Sequence, residues 1–207
     1  MNTLSSQFEK VAERLIQERA ALNQSDTLNG NHGDHMVDIF QIASQAALQM
    51  PGNDLAAAMD LASSELRQLE DNASAQLYAQ GLQHFASQFR EHAIGFDDLV
   101  TYIQSALAEN KQSGPKNPKA GDVLKALVSG LAGWQSASQN EGALKKGMDM
   151  GYLFDLGVAY LQAKQRTADK FEALAETAIS VCPLGKTPYR AQSGKLVILT
   201  LLKAMAS

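Results

Sequence analysis

Hydrophobic residues recur at helical spacing along almost the whole chain. Intervals of three, four and seven residues place apolar side chains on one face of an α-helix. The first such stripe consists of Leu4, Phe8, Val11, Leu15 and Leu22. No segment alternates between apolar and polar residues in the manner of a β-strand. We therefore predict an all-α fold, a barrel or bundle of about eight or nine antiparallel helices.

Clusters of Gly, Pro, Asn and Asp divide this pattern into helices with short connections. The expected helices cover residues 4–23, 31–50, 54–70, 73–89, 96–110, 121–138, 142–164, 165–179 and 193–205. The stretches 111–120 and 182–192 are predicted to be loops within one domain that spans residues 1–207. Because the last helix is apolar nearly all round, we expect the other helices to enclose it.

Composition and charge narrow the classes of function. With 45% hydrophobic and 19% charged residues among 207, the chain has the composition of a soluble globular protein. A net charge of −4 and the lack of a Lys/Arg cluster argue against nucleic-acid binding. The single cysteine, Cys182, fits a reducing compartment. Residues 1–10 lack the apolar core of a signal peptide and residues 196–202 are too short to span a bilayer, so we predict a cytoplasmic protein without a membrane partner.

Four breaks place polar or small residues where helices are expected to start. They are residues 29–34, 72–74, 119–122 and 192–194. Free backbone N–H groups and the helix dipole at such starts attract anions. Because the starts of alternate helices share one end of an antiparallel bundle, we expect these loops to gather there. The alternative is that each loop is only a helix cap, with Asn31 as N-cap and Asp34 three residues on.

The same four loops resemble, in order and over nearly the whole chain, motifs of the nucleotide-binding L subunit of dihydroxyacetone kinase, also called the Dak phosphatase domain. Asn29-Gly30-Asn31-His32-Gly33, followed by Met36, is similar to the family's D-x-D-H-G-x-x-M loop. Residues 72–78, with the sequence NASAQLY, are similar to its G-A-S-G-x-L-Y loop. Gly121-Asp122 resembles its G-D-K-T helix start, and the stretch from Leu184-Gly185 to Gly194 resembles its Y-L-G … D-P-G loop.

The resemblance implies a barrel of helices that holds a nucleotide, ADP or ATP, at one end. In the family, aspartates of the first loop hold two magnesium ions that bridge the nucleotide phosphates, and a separate subunit supplies the dihydroxyacetone substrate. The second loop and the helix starts contact the phosphates. The residues that this assigns to ligand binding are Asn29, Asn31, His32, Gly33, Asn72, Ala73, Ser74, Gly121, Gln192, Ser193 and Gly194.

Several charged residues of the family are replaced in this chain. Both aspartates of the D-x-D pair are the amides Asn29 and Asn31, and a third family aspartate falls at residues 23–24, also amides. The aspartate of D-P-G falls at Gln192, and the arginine of a preceding G-R-A-S segment falls at Ser180. Mg²⁺ prefers anionic oxygen, and each amide removes one negative charge. We therefore expect phosphate or nucleotide binding with weak or lost phosphoryl transfer, and an unfavourable site for Mg²⁺.

Other readings remain open from the residues alone. A metal could be recruited by His32, Asp34, His35 and Asp38, which would allow a working phosphotransferase. The plainer interpretation of these residues is a pair of acids at a helix start and a polar core histidine.

The loop cations Lys186, Arg190 and Lys195 suggest a phosphate site that needs no metal, although such cations are more often solvated surface charges. A third reading is a helical interaction scaffold without a ligand, whose loop end docks a partner.

Overall fold

The computed structural model describes residues 3–50, 54–107, 119–137 and 150–206. Within these ranges every regular element is helical, which confirms the all-α prediction. The α-helices of the described ranges are α1 (Leu4–Ser25), α2 (His32–Gln49), α3 (Leu55–Leu66), α4 (Ala73–Glu91), α5 (Phe96–Leu107), α6 (Ala120–Ala137), α7 (Met150–Arg166), α8 (Lys170–Val181) and α9 (Pro188–Ala206). A short 3₁₀ turn, Pro183–Lys186, precedes α9.

The first four helices pack antiparallel in consecutive pairs. The Ser5 hydroxyl, at the start of α1, donates to the Ser44 carbonyl near the end of α2 at 3.1 Å. Likewise, the Ser63 hydroxyl of α3 donates to the Ala79 carbonyl of α4 at 2.7 Å. Beyond α4, the packing continues onto α6, and α8 and α9 return the chain to α1. The described helices therefore form a bundle in which α1 contacts both α2 and α9.

A row of aromatic rings crosses the interior of this bundle. Phe8 of α1 meets Phe40 of α2 edge-on, with ring centroids 6.0 Å apart. Phe40 in turn meets Tyr78 of α4 at 5.5 Å, and Tyr78 lies 6.1 Å from Trp134 of α6. Edge-to-face pairs of this kind add about 0.5–1.5 kcal/mol beyond their buried area. The row thus ties four helices together through side chains that face the interior.

The last helix begins earlier than predicted. The predicted loop over residues 182–192 is wrong in its second half, because α9 begins at Pro188 rather than at Ser193. Proline is tolerated in the first turn of a helix, where the N–H group that it lacks would have no partner. Of the apolar residues of α9, Val197 and Met205 are buried, whereas Ile198, Leu201 and Leu202 are partly buried and line a cavity between the helices.

Other predicted boundaries are close to those observed. α3 ends at Leu66 rather than near residue 70, and the side-chain amide of Gln76 donates to the carbonyls of Arg67 and Leu69 in the turn that follows. Most of the predicted loop 111–120, and the predicted helical residues 142–149, lie outside the described residues. None of the described helices has the length and hydropathy needed to cross a membrane.

Candidate functional site

Three of the four predicted loops meet around the buried side chain of His32. Its Nε2 lies 2.8 Å from the Ser193 hydroxyl of α9, and its Nδ1 lies 3.5 Å from the Ser74 hydroxyl of α4. The Ser193 hydroxyl donates to the Arg190 carbonyl at 3.1 Å, so it accepts the proton of Nε2. Nδ1 is then the acceptor that faces Ser74. The starts of α2 and α4 and the second turn of α9 therefore lie at one end of the bundle, as predicted for these three.

His32 is a neutral polar residue of the interior. Its side chain is 2% exposed and packs edge-on against the Tyr189 ring, with centroids 4.7 Å apart. Burial lowers the pKa of His32 to about 4, and Arg190 contributes in the same direction against the opposing charge of Asp26. At neutral pH the imidazole is therefore a hydrogen-bonding link between helices and carries no charge.

The N–H groups of the first loop are occupied by the chain's own side chains. The carboxylate of buried Asp26 accepts from the N–H groups of Leu28 at 3.0 Å and Asn29 at 3.5 Å. Although burial raises the pKa of Asp26, hydrogen bonds from the backbone of Leu28, Asn29 and Asn31, together with an electrostatic contribution from His32, lower it overall. The prediction of free N–H groups for an external anion is thus wrong at these positions. Sequence reasoning missed Asp26, although an aspartate two residues before a turn N–H is a common Asx-turn signal.

A side chain from α1 caps the start of α2. The Asn23 side-chain oxygen accepts from the N–H groups of Gly33 at 2.6 Å and Asp34 at 3.3 Å. Its amide nitrogen donates to the Asp34 carboxylate at 2.8 Å. Asn31 occupies the predicted N-cap position, but its side chain caps no N–H group and instead donates to His35 Nε2 at 3.1 Å. Asn23 therefore supplies the cap that was predicted for Asn31. In the resembled family, an aspartate falls at this position or at the next one.

Two of the predicted ligand-loop glycines serve packing between helices. A Cβ on Gly33 would lie 2.8 Å from the Asn23 side-chain oxygen and closer still to the Arg19 carbonyl, so only glycine lets α2 approach α1. A Cβ on Gly194 would lie 2.6 Å from a methyl of Ile179. Gly30 differs, since its φ of +68° requires the left-handed backbone that glycine adopts readily.

The remaining predicted ligand residues of the second and fourth loops have different structural roles. The Asn72 side chain accepts from the Ala75 N–H at 2.9 Å and caps α4, while Ala73 beside it is exposed. Gln192 is exposed in the second turn of α9. It does not lie at a helix start, which corrects its predicted position.

Gly121 lies at the other end of the bundle from His32. The Lys119 ammonium beside it donates to the Ala93 carbonyl at 2.9 Å and pairs with the Asp98 carboxylate at 2.8 Å. Ala93 follows the end of α4, which spans 19 residues and so places its two ends about 27 Å apart. The expectation that Gly121 joins the other loops is therefore wrong.

The four candidate metal ligands do not converge. His32 is buried against the two serines, whereas Asp38 is exposed. Asp34 bonds Asn23 and lies 3.6 Å from the Arg19 guanidinium, and His35 faces Asn31. Across the described ranges, no group of three or more His, Cys, Asp or Glu side chains could hold a metal ion. The alternative metal site predicted from these four residues is thus not formed.

Cationic side chains lie beside the cluster, at the start of α9. The Arg190 guanidinium lies 5.5 Å from the Tyr189 ring centroid, and its buried Nε has no hydrogen-bond partner among the described residues. Lys186 of the 3₁₀ turn is exposed. Lys195, in contrast, pairs with Glu176 at 2.8 Å. Arg190 and Lys186 are therefore cations that an anion at this end could approach.

Below this polar end, the bundle surrounds an apolar cavity of about 650 Å³. Each of the nine described helices contributes at least one lining side chain, and none of the described lining residues is charged. Leu124 of α6 lines the cavity and is also 48% exposed, which marks a way to the surface. The sequence alone does not indicate this cavity, because its lining residues have the pattern of an ordinary core.

The chain matches no protein-family model, no curated protein and no solved structure. The resemblance to the dihydroxyacetone kinase L subunit therefore stays a prediction, carried by the residues of the loops. The geometry defines a class of molecule: a helical bundle with a large apolar cavity and a cluster of polar side chains at one end.

Proposed function

We propose that this protein binds a largely apolar small molecule in its central cavity. The observation that carries the proposal is the cavity itself, whose volume of about 650 Å³ lies within the range of small-molecule sites, about 300–1,000 Å³. At about 30 Å³ for a group of the size of water, it has room for roughly 20 methylene-sized groups. The uncharged lining favours hydrocarbon or aromatic ligands over polar metabolites.

The energetics of the cavity support the same proposal. The cavity opens to the surface at Leu124, and the apolar side chains of its wall lack van der Waals partners on the cavity side. A ligand that restores the missing van der Waals contacts therefore stabilises the folded chain substantially.

Calorimetric titration with 2-ethylnaphthalene tests the proposal. We expect saturable binding to the wild type and at least a tenfold loss in Ala178→Phe, because Ala178 lines the cavity and the larger ring occupies ligand volume. The matched control is Ala21→Phe, the same change on the exposed face of α1, with affinity within twofold of wild type. Ala178→Phe should also raise the thermal stability of the ligand-free chain. Absent binding, or equal affinity for both variants, would contradict the proposal.

We also propose a second function, taken from the family resemblance: binding of phosphate, ADP or ATP at the polar end, with weak or lost phosphoryl transfer. The specific observation in its favour is that side chains of three resembling loops adjoin one another at His32, with Arg190 and Lys186 nearby. For this second function, the proposed partner is a kinase subunit that carries the substrate. The proposed location is the cytoplasm.

Titration with ADP and ATP, with and without Mg²⁺, tests this second function. We expect metal-independent binding that weakens at least tenfold in Arg190→Ala, since a hydrogen-bonded charge contributes about 1.5–3 kcal/mol. Arg166→Ala, an exposed arginine at the end of α7, is the control and should bind as the wild type does. Binding that requires Mg²⁺ would favour the active phosphotransferase instead. If neither nucleotide binds, the second function is contradicted, and the polar end is part of a helical interaction scaffold without a ligand.

A further inference from the structure

We infer that the cavity ligand carries an uncharged oxygen acceptor, which receives hydrogen bonds from the Tyr78 hydroxyl and the Trp134 indole N–H. The inference rests on the proposed function, binding in the cavity, and adds the chemical class of the ligand. Both side chains line the cavity, and both donor atoms are buried without a hydrogen-bond partner among the described residues.

The two donors belong to neighbouring side chains at one end of the cavity. Tyr78 follows Ser74 by one turn of α4 and therefore lies just below the His32 cluster. Trp134 packs beside it, with ring centroids 6.1 Å apart and the planes tilted by 54°. The Trp134 ring lies against Gly81 of α4, where a Cβ would come within 2.8 Å of it. Tyr78 is 9% and Trp134 6% exposed, so both are largely buried parts of the cavity wall.

Leaving these donors without partners is costly. An unsatisfied buried donor costs roughly as much as the desolvation of its group, and nearly all such groups in folded proteins have a partner. A ligand oxygen has two lone pairs, so a single oxygen can accept two hydrogen bonds. Both donor atoms are fully buried, so a ring must rotate before the bond forms. Binding should therefore alter the environment of Trp134.

The chemistry of the wall indicates that the acceptor is neutral. No charged side chain lines the cavity in the described ranges, so a carboxylate would lose its hydration without a counter-ion. Burial also raises the pKa of Tyr78 far above its usual value, which keeps the hydroxyl protonated and able to donate. A ketone, ester or alcohol on a hydrocarbon body fits these conditions.

The test compares 2-acetylnaphthalene, which has a carbonyl, with 2-ethylnaphthalene, which has a methylene in its place. We expect Tyr78→Phe and Trp134→Phe each to lower the affinity for the ketone by roughly fivefold, which corresponds to about 1 kcal/mol for the lost hydrogen bond. Both variants should hold 2-ethylnaphthalene within about twofold of wild type. The matched control is Tyr189→Phe, the same change at a side chain that packs on His32 and is not among the residues that line the cavity. It should leave both affinities unchanged.

Calorimetric titration separates the outcomes. Selective loss of ketone affinity in the two variants, together with weak binding of 2-naphthoate to the wild type, supports the inference. Equal effects on both ligands, no effect, or tight binding of 2-naphthoate overturn it while the proposed function stands. Failure of both naphthalenes to bind the wild type overturns the proposed function and this inference with it. Circular dichroism of each variant checks that the helical fold is retained.

Discussion

Replacing Gly33 with alanine tests whether this glycine serves the packing of α1 against α2 rather than the approach of a phosphate. A Cβ there would lie closer than 3.0 Å to the Arg19 carbonyl oxygen and 2.8 Å from the Asn23 side-chain oxygen. The carbonyl is backbone and cannot rotate away, so the two helices must separate and the bond from Asn23 to the Gly33 N–H must lengthen. Overpacking of this kind costs about 1–3 kcal/mol, and weakening a helix cap costs about 0.5–2 kcal/mol.

The better helix propensity of alanine offsets about 0.5–1 kcal/mol, so we expect a net destabilisation of about 2–3 kcal/mol. For a chain of this size, Tm should fall by roughly 4–12 °C in differential scanning calorimetry. The matched control is Gly121→Ala, where a Cβ meets no atom within 4 Å. Its Tm should stay the same or rise by roughly 1–4 °C. An unchanged Tm for Gly33→Ala, with a loss of ADP binding, would refute the packing argument.

Three further predictions concern the cluster at the polar end. Because burial lowers the pKa of His32 from 6.5 to about 4, the unfolded chain binds a proton first as pH falls, and the free energy of unfolding should drop by roughly 3 kcal/mol between these values. In urea titrations His32→Gln should reduce this slope, and a slope equal to wild type would contradict the burial argument. Ser193→Ala removes the acceptor of the His32 Nε2 proton and should lower the free energy of unfolding by about 1–2 kcal/mol. Ser74→Ala, which removes a longer bond of 3.5 Å, should lower it by less than about 1 kcal/mol. The reverse order would argue against the tautomer with the proton on Nε2. Asn23→Ala should cost about 0.5–2 kcal/mol and Asn31→Ala close to nothing, and a larger effect at Asn31 would argue against capping from α1.

The helices themselves could be predicted because their cause is local. Apolar spacing and Pro, Gly and Asn breaks place the starts of α2 and α4 close to where the structure has them. The gathering of residues 29–34 with 72–74 followed from counting helices in an antiparallel bundle. The same counting failed for Gly121. α5 has 12 residues and packs between α6 and α9 instead of returning along α4, so the alternation ends there.

The content of the site depended on contacts that sequence spacing does not encode. Asn23 caps α2 from another helix. Glycine at position 33 permits close approach of a phosphate as well as of a neighbouring helix, so the sequence does not distinguish the two. Asp26 fills the loop from within, so a sequence that favours anion binding forms a self-satisfied turn instead. The cavity escaped prediction because lining residues such as Phe40 and Val197 are indistinguishable in sequence from a packed core.

Emission from Trp134 provides the most direct test of ligand binding in the cavity. It is the only tryptophan of the chain, it lines the cavity and it is 6% exposed. A bromine atom quenches indole emission only at close contact, so 1-bromodecane bound in the cavity should quench it saturably. Dissolved bromide ion should leave the emission unchanged, because it cannot reach a buried ring. If 1-bromodecane produces no saturable quenching, or if bromide ion quenches equally well, the claim that the cavity holds an apolar ligand is contradicted.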